Sequence, residues 1–394
     1  MANDGRETVI TGIGLVSCLG EGADAHWDGL SAGSLIVDES TYAPYPVHPL
    51  APIELDRQIA KKGDQRQMEP WQRIGTYAAG LALDSAGAKG KAELLERMDM
   101  IVAAGGGERD LTVDETILAG LRTAEDADTF LNTRLMTDLR PTLMLAQLAN
   151  LLAGNISIVH GVIGSSRTFM GEEGAGIDAL RIALARIRAG QSDIALVGGA
   201  FNTERKDSII QYDFGSYLKG RYRPVWQRGP EGGLVFGSLG AFLVLEAREH
   251  ADKRDAAPMA RLSAVLSRRS SRRPGDVTAS LEASWQDLAG RLVSDGLALI
   301  SGATGAEPAT AEERAFLAVH PEVPVRATGS YIGHALEPQF VMNVALAALA
   351  VNRGTLFSPG DPSVERPMQG PLKQVAVTGI GHWRGEGLGL VDAA

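Results

Sequence analysis

The stretch RTFMGEEGAGIDALRIALARIRA, residues 167–189, contains the pattern of a strand, a glycine-rich turn and an amphipathic helix. Residues 167–170 are predicted as the strand, and the helix is predicted over residues 176–189. Its apolar side chains recur at helical spacing and would form one buried stripe: Ile177, Leu180, Leu184 and Ile187. An apolar run at residues 193–197 then predicts a second buried strand, closed by Gly198 and Gly199. This order indicates an α/β fold.

The same alternation extends along the whole chain of 394 residues. Further strands are predicted at residues 9–13, 98–104, 234–246, 297–301 and 374–378. Further helices are predicted from Pro70 to residue 86, from Pro141 to Gly154, and onward from Pro338. Strands that alternate with longer helices predict helical layers packed around mainly parallel strands.

Two short sequence matches suggest an internal duplication. Thr11-Gly12-Ile13-Gly14 near the start reappears as Thr378-Gly379-Ile380-Gly381 near the end. Residues 83–87 and residues 293–296 each lead into a strand with a glycine-rich end. We therefore predict two similar α/β halves, residues 1–250 and residues 251–394.

Composition excludes several classes of protein. The net charge of −10 argues against nucleic-acid binding, which needs clustered Lys and Arg. The apolar run at residues 342–351 is too short to span a bilayer, and no signal peptide is visible. The single cysteine, Cys18, rules out an intramolecular disulfide and suggests a cytoplasmic protein.

One basic cluster, at residues 268–273, is predicted to be either a solvated loop or a docking patch for an acidic partner.

The common cofactor and catalytic motifs are incomplete. Gly12 and Gly14 follow a predicted strand, but the next glycine, Gly20, is too late for a dinucleotide-binding turn. The seven histidines show no metal-ligand spacing, and the G-x-S-x-G pattern at residues 29–33 has no strand before it. We predict no cofactor and no metal.

Two side chains at predicted turns are candidates for a functional site. Glu173 lies at the turn into the helix of residues 176–189, where it would either cap the helix or face a substrate chamber. His334, in Gly333-His334 before the helix at Pro338, would either be a packed histidine or donate to an oxyanion.

These features, in this order, resemble the β-ketoacyl-acyl-carrier-protein synthases, the condensing enzymes of thiolase fold. The resemblance covers nearly the whole chain. It is carried by residues 9–17, 151–161, 192–200, 223–226, 233–237 and 243–246, and by Gly333-His334. The resemblance implies a five-layer α-β-α-β-α arrangement of two duplicated halves, and usually a dimer.

The family's catalytic residues can be carried over only by position. Its nucleophilic cysteine corresponds to Glu173, its first histidine to Ala303, and its lysine to Gly329. His334 is retained as the second histidine, and the family's glycine-rich gating loop is altered at residues 379–385.

The functional hypotheses follow from these substitutions at the catalytic positions. A glutamate cannot form the thioester that condensation needs, although a protonated Glu173 could donate a hydrogen bond as glutamine does in some relatives. The leading hypothesis is a partner, like a chain-length factor, of an active ketosynthase in fatty-acid or polyketide synthesis. It implies binding to acyl carrier protein. The alternatives are a decarboxylating or specialised condensing enzyme that uses Glu173 and His334, and a non-catalytic homodimer that binds the carrier protein.

Overall fold

The computed structural model describes residues 5–140 and 143–394. The strands are β1 Thr8–Ser17, β2 Gly20–Glu21, β3 Val47–His48, β4 Asp99–Ala103, β5 Ser166–Phe169, β6 Ile194–Phe201, β7 Phe236–Gly237, β8 Leu239–Ala247, β9 Ala260–Arg268, β10 Leu297–Ser301, β11 Val325–Ala327, β12 Gln374–Ile380 and β13 Glu386–Ala393. The helices are α1 Gly22–Ser31, α2 Lys62–Gln67, α3 Pro70–Ser85, α4 Ala92–Leu95, α5 Leu111–Leu121, α6 Ala127–Asp138, α7 Leu143–Ala146, α8 Leu151–His160, α9 Glu173–Arg188, α10 Lys206–Phe214, α11 Arg248–Lys253, α12 Asp276–Leu288, α13 Ala309–Ala318 and α14 Gln339–Arg353.

Apart from the short strand β2, which pairs with β1, the main sheet consists of two five-strand units with the same strand order. In the first unit the order is β5-β4-β6-β8-β1, and in the second it is β11-β10-β12-β13-β9. The first three strands of each order are parallel, and the last two pairings are antiparallel. This agreement in order and direction supports the predicted duplication. The boundary at residue 250 stays a prediction.

Five layers follow from how the helices pack on these units. Helix α3 packs on β1, β6 and β8 on one outer face, and α12 packs on β9 and β13 on the other. Helices α9 and α14 lie between the two units and contact strands of both. The predicted five-layer α-β-α-β-α arrangement is therefore confirmed.

The central position of α9 and α14 agrees with their sequences. The four apolar residues predicted to face inward on α9 are all buried, and α14 is buried from residue 339 to residue 351. A helix that is apolar all around is stable only inside a protein. These two helices bring their N-terminal ends to the middle of the molecule, where the candidate site lies.

Most predicted elements are present near the predicted positions. The strands predicted at residues 9–13, 98–104, 167–170, 297–301 and 374–378 correspond to β1, β4, β5, β10 and β12. The predicted helices at Pro70 and Pro338 correspond to α3 and α14, and α9 begins three residues earlier than predicted.

Two predicted element ends were wrong because glycine was interpreted as a terminator. Strand β6 continues through Gly198 and Gly199, where a Cβ atom would lie 2.2 Å from the carbonyl oxygens of Ala241 and Ala103, respectively. These glycines allow neighbouring strands to approach closely, and they do not end the strand. Similarly, α8 passes through Gly154 and ends at His160, and Gly161, which follows it, has a φ of 80°. Pro141, the predicted start of that helix, lies outside the described residues.

Among the strands that were not predicted from the sequence, the two longest are β9 and β13. Both belong to the second unit, where β13 lies between β12 and β9. In addition, the repeated tetrapeptide that suggested duplication lies on β1 and at the end of β12, which are not equivalent strands. By strand order, β1 corresponds to β9 and β6 corresponds to β12.

The search for membrane-spanning helices covered the described residues. Within that part of the chain, no helix is both long enough and apolar enough to cross a bilayer.

Candidate functional site

Glu173 is the first residue of α9 and is almost fully buried, with 3% of its surface exposed. The chain reaches it from β5 through Gly171 and Glu172, which have φ angles of 138° and 56°. The positive φ at Glu172 is unusual for a residue other than glycine, and such strain costs on the order of 1–3 kcal/mol. This turn aims the Glu173 carboxylate into the centre of the protein.

His334 approaches Glu173 from the segment before α14. Its backbone is fixed by two hydrogen bonds, from His334 N to Val235 O at 2.8 Å and from Gly237 N to His334 O at 3.0 Å. Its ring Nε2 lies 2.8 Å from Glu173 Oε1. The two side chains predicted as candidates are therefore in direct contact, although 161 positions separate them.

A third residue, His382, completes this cluster and was not predicted as a site residue. It lies in the loop between β12 and β13, with its ring Nδ1 3.0 Å and its backbone N 3.2 Å from Glu173 Oε1. The sequence feature that could have indicated His382 is its place inside the altered glycine-rich loop at residues 379–385.

Oxygen Oε1 of the Glu173 carboxyl is an acceptor, and the lowered pKa of this group argues against the hypothesis that it is protonated and donates. Its Oε1 faces the His334 ring, the His382 ring and the His382 backbone N–H. Burial alone would raise the pKa of Glu173, but the charge and hydrogen bonds of His382 and His334 hold that pKa below its ordinary value. Since a backbone N–H always donates, Oε1 must accept. The predicted role of His334 as an oxyanion donor is also weakened, because its Nε2 already faces Glu173.

Arg272 anchors the loop that carries His382. Its guanidinium donates to the Glu386 carboxylate at 2.6 Å and to the Gly381 carbonyl at 2.5 Å. Both Arg272 and Glu386 are largely buried. Two other arginines of the basic cluster form ion pairs, Arg268 with Asp287 and Arg273 with Asp276. The prediction of a solvated loop or docking patch is therefore wrong for Arg272, which points inward and holds the loop.

Glu172 forms the outer edge of the cluster. Its Oε1 accepts from the Tyr212 hydroxyl at 2.9 Å, and its Oε2 accepts from the Trp383 ring N–H. The Nε2 atom of His382 lies 3.9 Å from Glu172 Oε1. The imidazole of His382 thus lies between two carboxylates.

Among the described residues, Glu172, Glu173 and His382 place potential metal ligands within 4.8 Å of one another. A metal ion needs their lone pairs to converge on one point. Here the two nitrogens of the His382 ring point in different directions, Nδ1 to Glu173 and Nε2 to Glu172. No single ring nitrogen therefore shares a coordination point with both carboxylates. The geometry favours a hydrogen-bonded network over a metal centre.

Ala303, predicted to occupy the position of the lost first histidine, is buried just after β10. Gly329, predicted to replace the lysine, lies beside it, since a Cβ atom on Gly329 would be 2.9 Å from Ala303 O. Neither residue has a polar side chain to contribute to catalysis. The correspondence of both positions with catalytic ones stays a prediction.

Cys18 is buried and has no described hydrogen bond to Glu173, His334 or His382. Its thiol donates to Tyr331 O at 3.3 Å, and burial raises the pKa of Cys18 to about 12. We expect the folded chain to resist alkylation by iodoacetamide at pH 8 for hours, and to react fully in guanidinium chloride. Intact mass measures the reaction without ambiguity, because the chain has one cysteine. Rapid labelling of the folded chain would contradict this expectation.

Comparison with known proteins agrees with this fold. The family model described as the N-terminal domain of beta-ketoacyl synthase matches residues 6–251, more than half of the chain. The chain therefore belongs to the beta-ketoacyl synthase family.

Two relatives show how much of the chain is similar to known synthases. A 3-oxoacyl-[acyl-carrier-protein] synthase 2 from Vibrio cholerae is 25% identical over 264 residues, which cover 64% of this chain and 60% of that protein. The chain thus matches about three fifths of the length of such synthases. A beta-ketoacyl synthase 1 of the oxytetracycline polyketide from Streptomyces rimosus is 26% identical over 377 residues, covering 90% of this chain and 87% of that protein.

Solved structures share the fold over nearly all of the chain. The ishigamide ketosynthase/chain length factor superimposes with a TM-score of 0.78 at 19% identity, covering 99% of this chain and 100% of that chain. A type II polyketide synthase ketosynthase in complex with its acyl-carrier protein superimposes with a TM-score of 0.75 at 18% identity and the same coverage.

Proposed function

We propose that this chain is a non-condensing subunit of a fatty-acid or polyketide synthase. In this proposal it pairs with an active ketosynthase, helps to set the length of the acyl chain, and interacts with acyl carrier protein. The observation that carries the proposal is the Glu173 carboxylate, which is hydrogen-bonded to His334 and His382 at the head of α9.

This arrangement opposes condensation for two physical reasons. A carboxylate cannot hold an acyl chain as a thioester, and the two imidazoles that contact it already have a partner. An ionised Glu173 would also repel the carboxylate of a malonyl group. At about 4 Å and an effective dielectric constant of about 20, this repulsion amounts to roughly 4 kcal/mol.

A candidate face for the partner lies at the edge strand β5. Among the described strands, β5 pairs with β4 alone, so its other edge has no partner strand. Three large apolar side chains near this edge are exposed, Ile158 at 70%, Ile163 at 60% and Met170 at 67%. An exposed strand edge with apolar neighbours is a surface that normally needs to be covered.

The comparisons support the proposed assembly. One structural neighbour is named as a ketosynthase/chain length factor, and another is a ketosynthase in complex with an acyl-carrier protein.

Co-expression with a ketosynthase that retains its cysteine tests this proposal. We expect a 1:1 complex by light scattering, and a change in product chain length when the chain is omitted. Met170→Arg should reduce complex formation at least about tenfold if β5 lies at the interface, because it places a charge in a buried apolar contact. Val319→Arg is the matched control, since Val319 is a similarly exposed apolar residue, at 60% against 67% for Met170, far from Met170 in the sequence.

Two outcomes would contradict the proposal. One is a ketosynthase that produces the same chain lengths without this chain. The other is a stable homodimer that binds acyl carrier protein and never exchanges with a ketosynthase, which would favour the non-catalytic homodimer.

His382 favours one alternative function, because it restores a second imidazole to the site. A malonyl-carrier decarboxylase that uses His334 and His382 would release CO₂ faster as wild type than as His382→Ala. Equal background rates in both proteins would remove this alternative.

A further inference from the structure

A basic loop connects β9 to α12 and contains two adjacent serines. Residues 268–273 read Arg-Arg-Ser-Ser-Arg-Arg, so Ser270 and Ser271 lie between two pairs of arginines. Residues 269–275 belong to no helix or strand, and residues 269–272 form no backbone-to-backbone hydrogen bond with the rest of the described chain. A segment with so few backbone contacts can enter the cleft of a modifying enzyme.

The structure distinguishes the two serines. Ser270 is half-buried, and its hydroxyl donates to Glu386 Oε1 at 2.8 Å. Glu386 itself is 1% exposed. A phosphoryl group on Ser270 would place about two further negative charges against this buried carboxylate, which is strongly unfavourable. Ser271, by contrast, is exposed to solvent and is therefore the accessible acceptor.

The surroundings of Ser271 already contain donors for a phosphate. Its Oγ accepts from Arg273 N and from Arg273 Nε, both at 3.1 Å. Arg269 is exposed and forms no ion pair with another described residue. Guanidinium groups and backbone N–H groups are the donors that commonly bind phosphate oxygens. The acid in contact with Ser271 is Asp276, which accepts from its hydroxyl and lies 3.3 Å from Arg273 Nε.

We propose that Ser271 is a phosphorylation site for an arginine-directed serine kinase, and that Arg269 and Arg273 bind the resulting phosphate. The phosphoryl donor is the γ-phosphate of ATP. The bond between Ser271 Oγ and phosphorus forms, the bond from phosphorus to the bridging oxygen breaks, and ADP leaves with that electron pair. The hydroxyl proton passes to a carboxylate base of the kinase. Recognition by charge requires that the kinase present acidic residues to this loop.

Arg272 is expected to keep its present contacts after phosphorylation. It is paired with buried Glu386, and separating a buried pair costs several times more than a contact between exposed charges gains. The phosphate therefore recruits the exposed Arg269 and Arg273. Phosphorylation changes the charge of this surface and leaves the loop that carries His382 in place.

Phosphorylation of the purified, folded chain tests the acceptor. The probe is the catalytic subunit of cAMP-dependent protein kinase with Mg-ATP, because this enzyme selects serines by the arginines that precede them. We expect a single phosphoryl group per chain by intact mass, located on Ser271 by peptide fragmentation. Ser271→Ala should lower the initial rate at least about tenfold, and the matched control Ser270→Ala should stay within about threefold of wild type.

The titration of the phosphate tests its contacts. The phosphate of a phosphoserine titrates at about pH 6, and neighbouring guanidinium groups favour its dianion. By ³¹P NMR at low salt, we therefore expect a lower phosphate pKa in the folded chain than in the same chain unfolded in urea. Arg273→Gln should remove part of this difference. Arg66→Gln, at an exposed position outside the loop, is the matched control and should leave it unchanged.

Absence of phosphorylation of the folded chain would overturn the inference, as would incorporation at Ser270. An equal rate for Ser271→Ala and wild type would do the same. A phosphate pKa that is equal in the folded and unfolded chains, or that does not respond to Arg273→Gln, would contradict the contacts with the arginines. None of these results affects the complex with a ketosynthase, which is measured separately.

Discussion

Glu173→Ala is expected to lower the free energy of unfolding by about 3–5 kcal/mol at pH 7, the usual cost of removing one partner from a buried charged pair. The substitution leaves the His382 backbone N–H and the rings of His334 and His382 without their common acceptor. Guanidinium chloride unfolding monitored by tryptophan fluorescence measures the change.

Glu173→Gln should have a smaller effect, about 1–2 kcal/mol, because its amide oxygen can still accept. Glu172→Gln is the control on the neighbouring, partly exposed residue, and it should cost less than about 1 kcal/mol. Equal stability of Glu173→Ala and wild type would contradict the network, as would equal losses for alanine and glutamine.

The pH dependence of this effect has a definite sign. The pKa of Glu173 is lower in the folded chain than in the unfolded chain. The stability that its ionised form contributes is therefore complete above the unfolded pKa, about 4.5, and is lost as the pH falls toward the folded pKa. The difference in stability between wild type and Glu173→Gln should decrease on acidification.

Glu337→Gln is expected to stabilise the chain at high pH, whereas the substitutions of Glu173 destabilise it. The pKa of Glu337 is raised from 4.5 to about 8 in the folded chain, so the folded state binds this proton more tightly. The resulting stability is complete below pH 4.5 and is lost as the pH rises through 8. The variant does not ionise, and it should exceed wild type by up to about 5 kcal/mol at pH 9.

Unfolding curves at pH 5, 7 and 9 check this prediction. The advantage of Glu337→Gln should be small at pH 5 and should increase steadily with pH. Glu54→Gln, at an exposed position, should stay within about 0.5 kcal/mol of wild type throughout. A pH-independent difference for Glu337→Gln would mean that the carboxyl does not titrate in this range.

Local sequence patterns were sufficient for much of the fold and for part of the site. The spacing of Ile177, Leu180 and Leu184 predicted α9, and two glycine-flanked turns predicted Glu173 and His334. These signals lie within a few residues of the feature that they predict. The structure brings Glu173 and His334 together, and a catalytic role for them stays a prediction.

Other features depend on residues that are distant in sequence. His382 was visible in an altered loop, but its position over Glu173 depends on the contacts of Arg272 with Gly381 O and Glu386. Glu337 follows His334 by three residues, yet its raised pKa depends on burial and on the charges of Glu173 and Glu172 at the start of another helix. The two-unit sheet supports the predicted duplication, although the tetrapeptide that suggested it lies on strands that are not equivalent.

By itself, the sequence determined the family scaffold and the absence of a thiol near Glu173, because both are properties of residue identity and order. Only the tertiary structure decided that Glu173 is an acceptor held by two histidines and that Glu337 is buried close to the charges of Glu173 and Glu172. The physical reason is that ionisation and hydrogen bonding depend on burial and on distances of a few ångströms, and these are set by segments far apart in the chain.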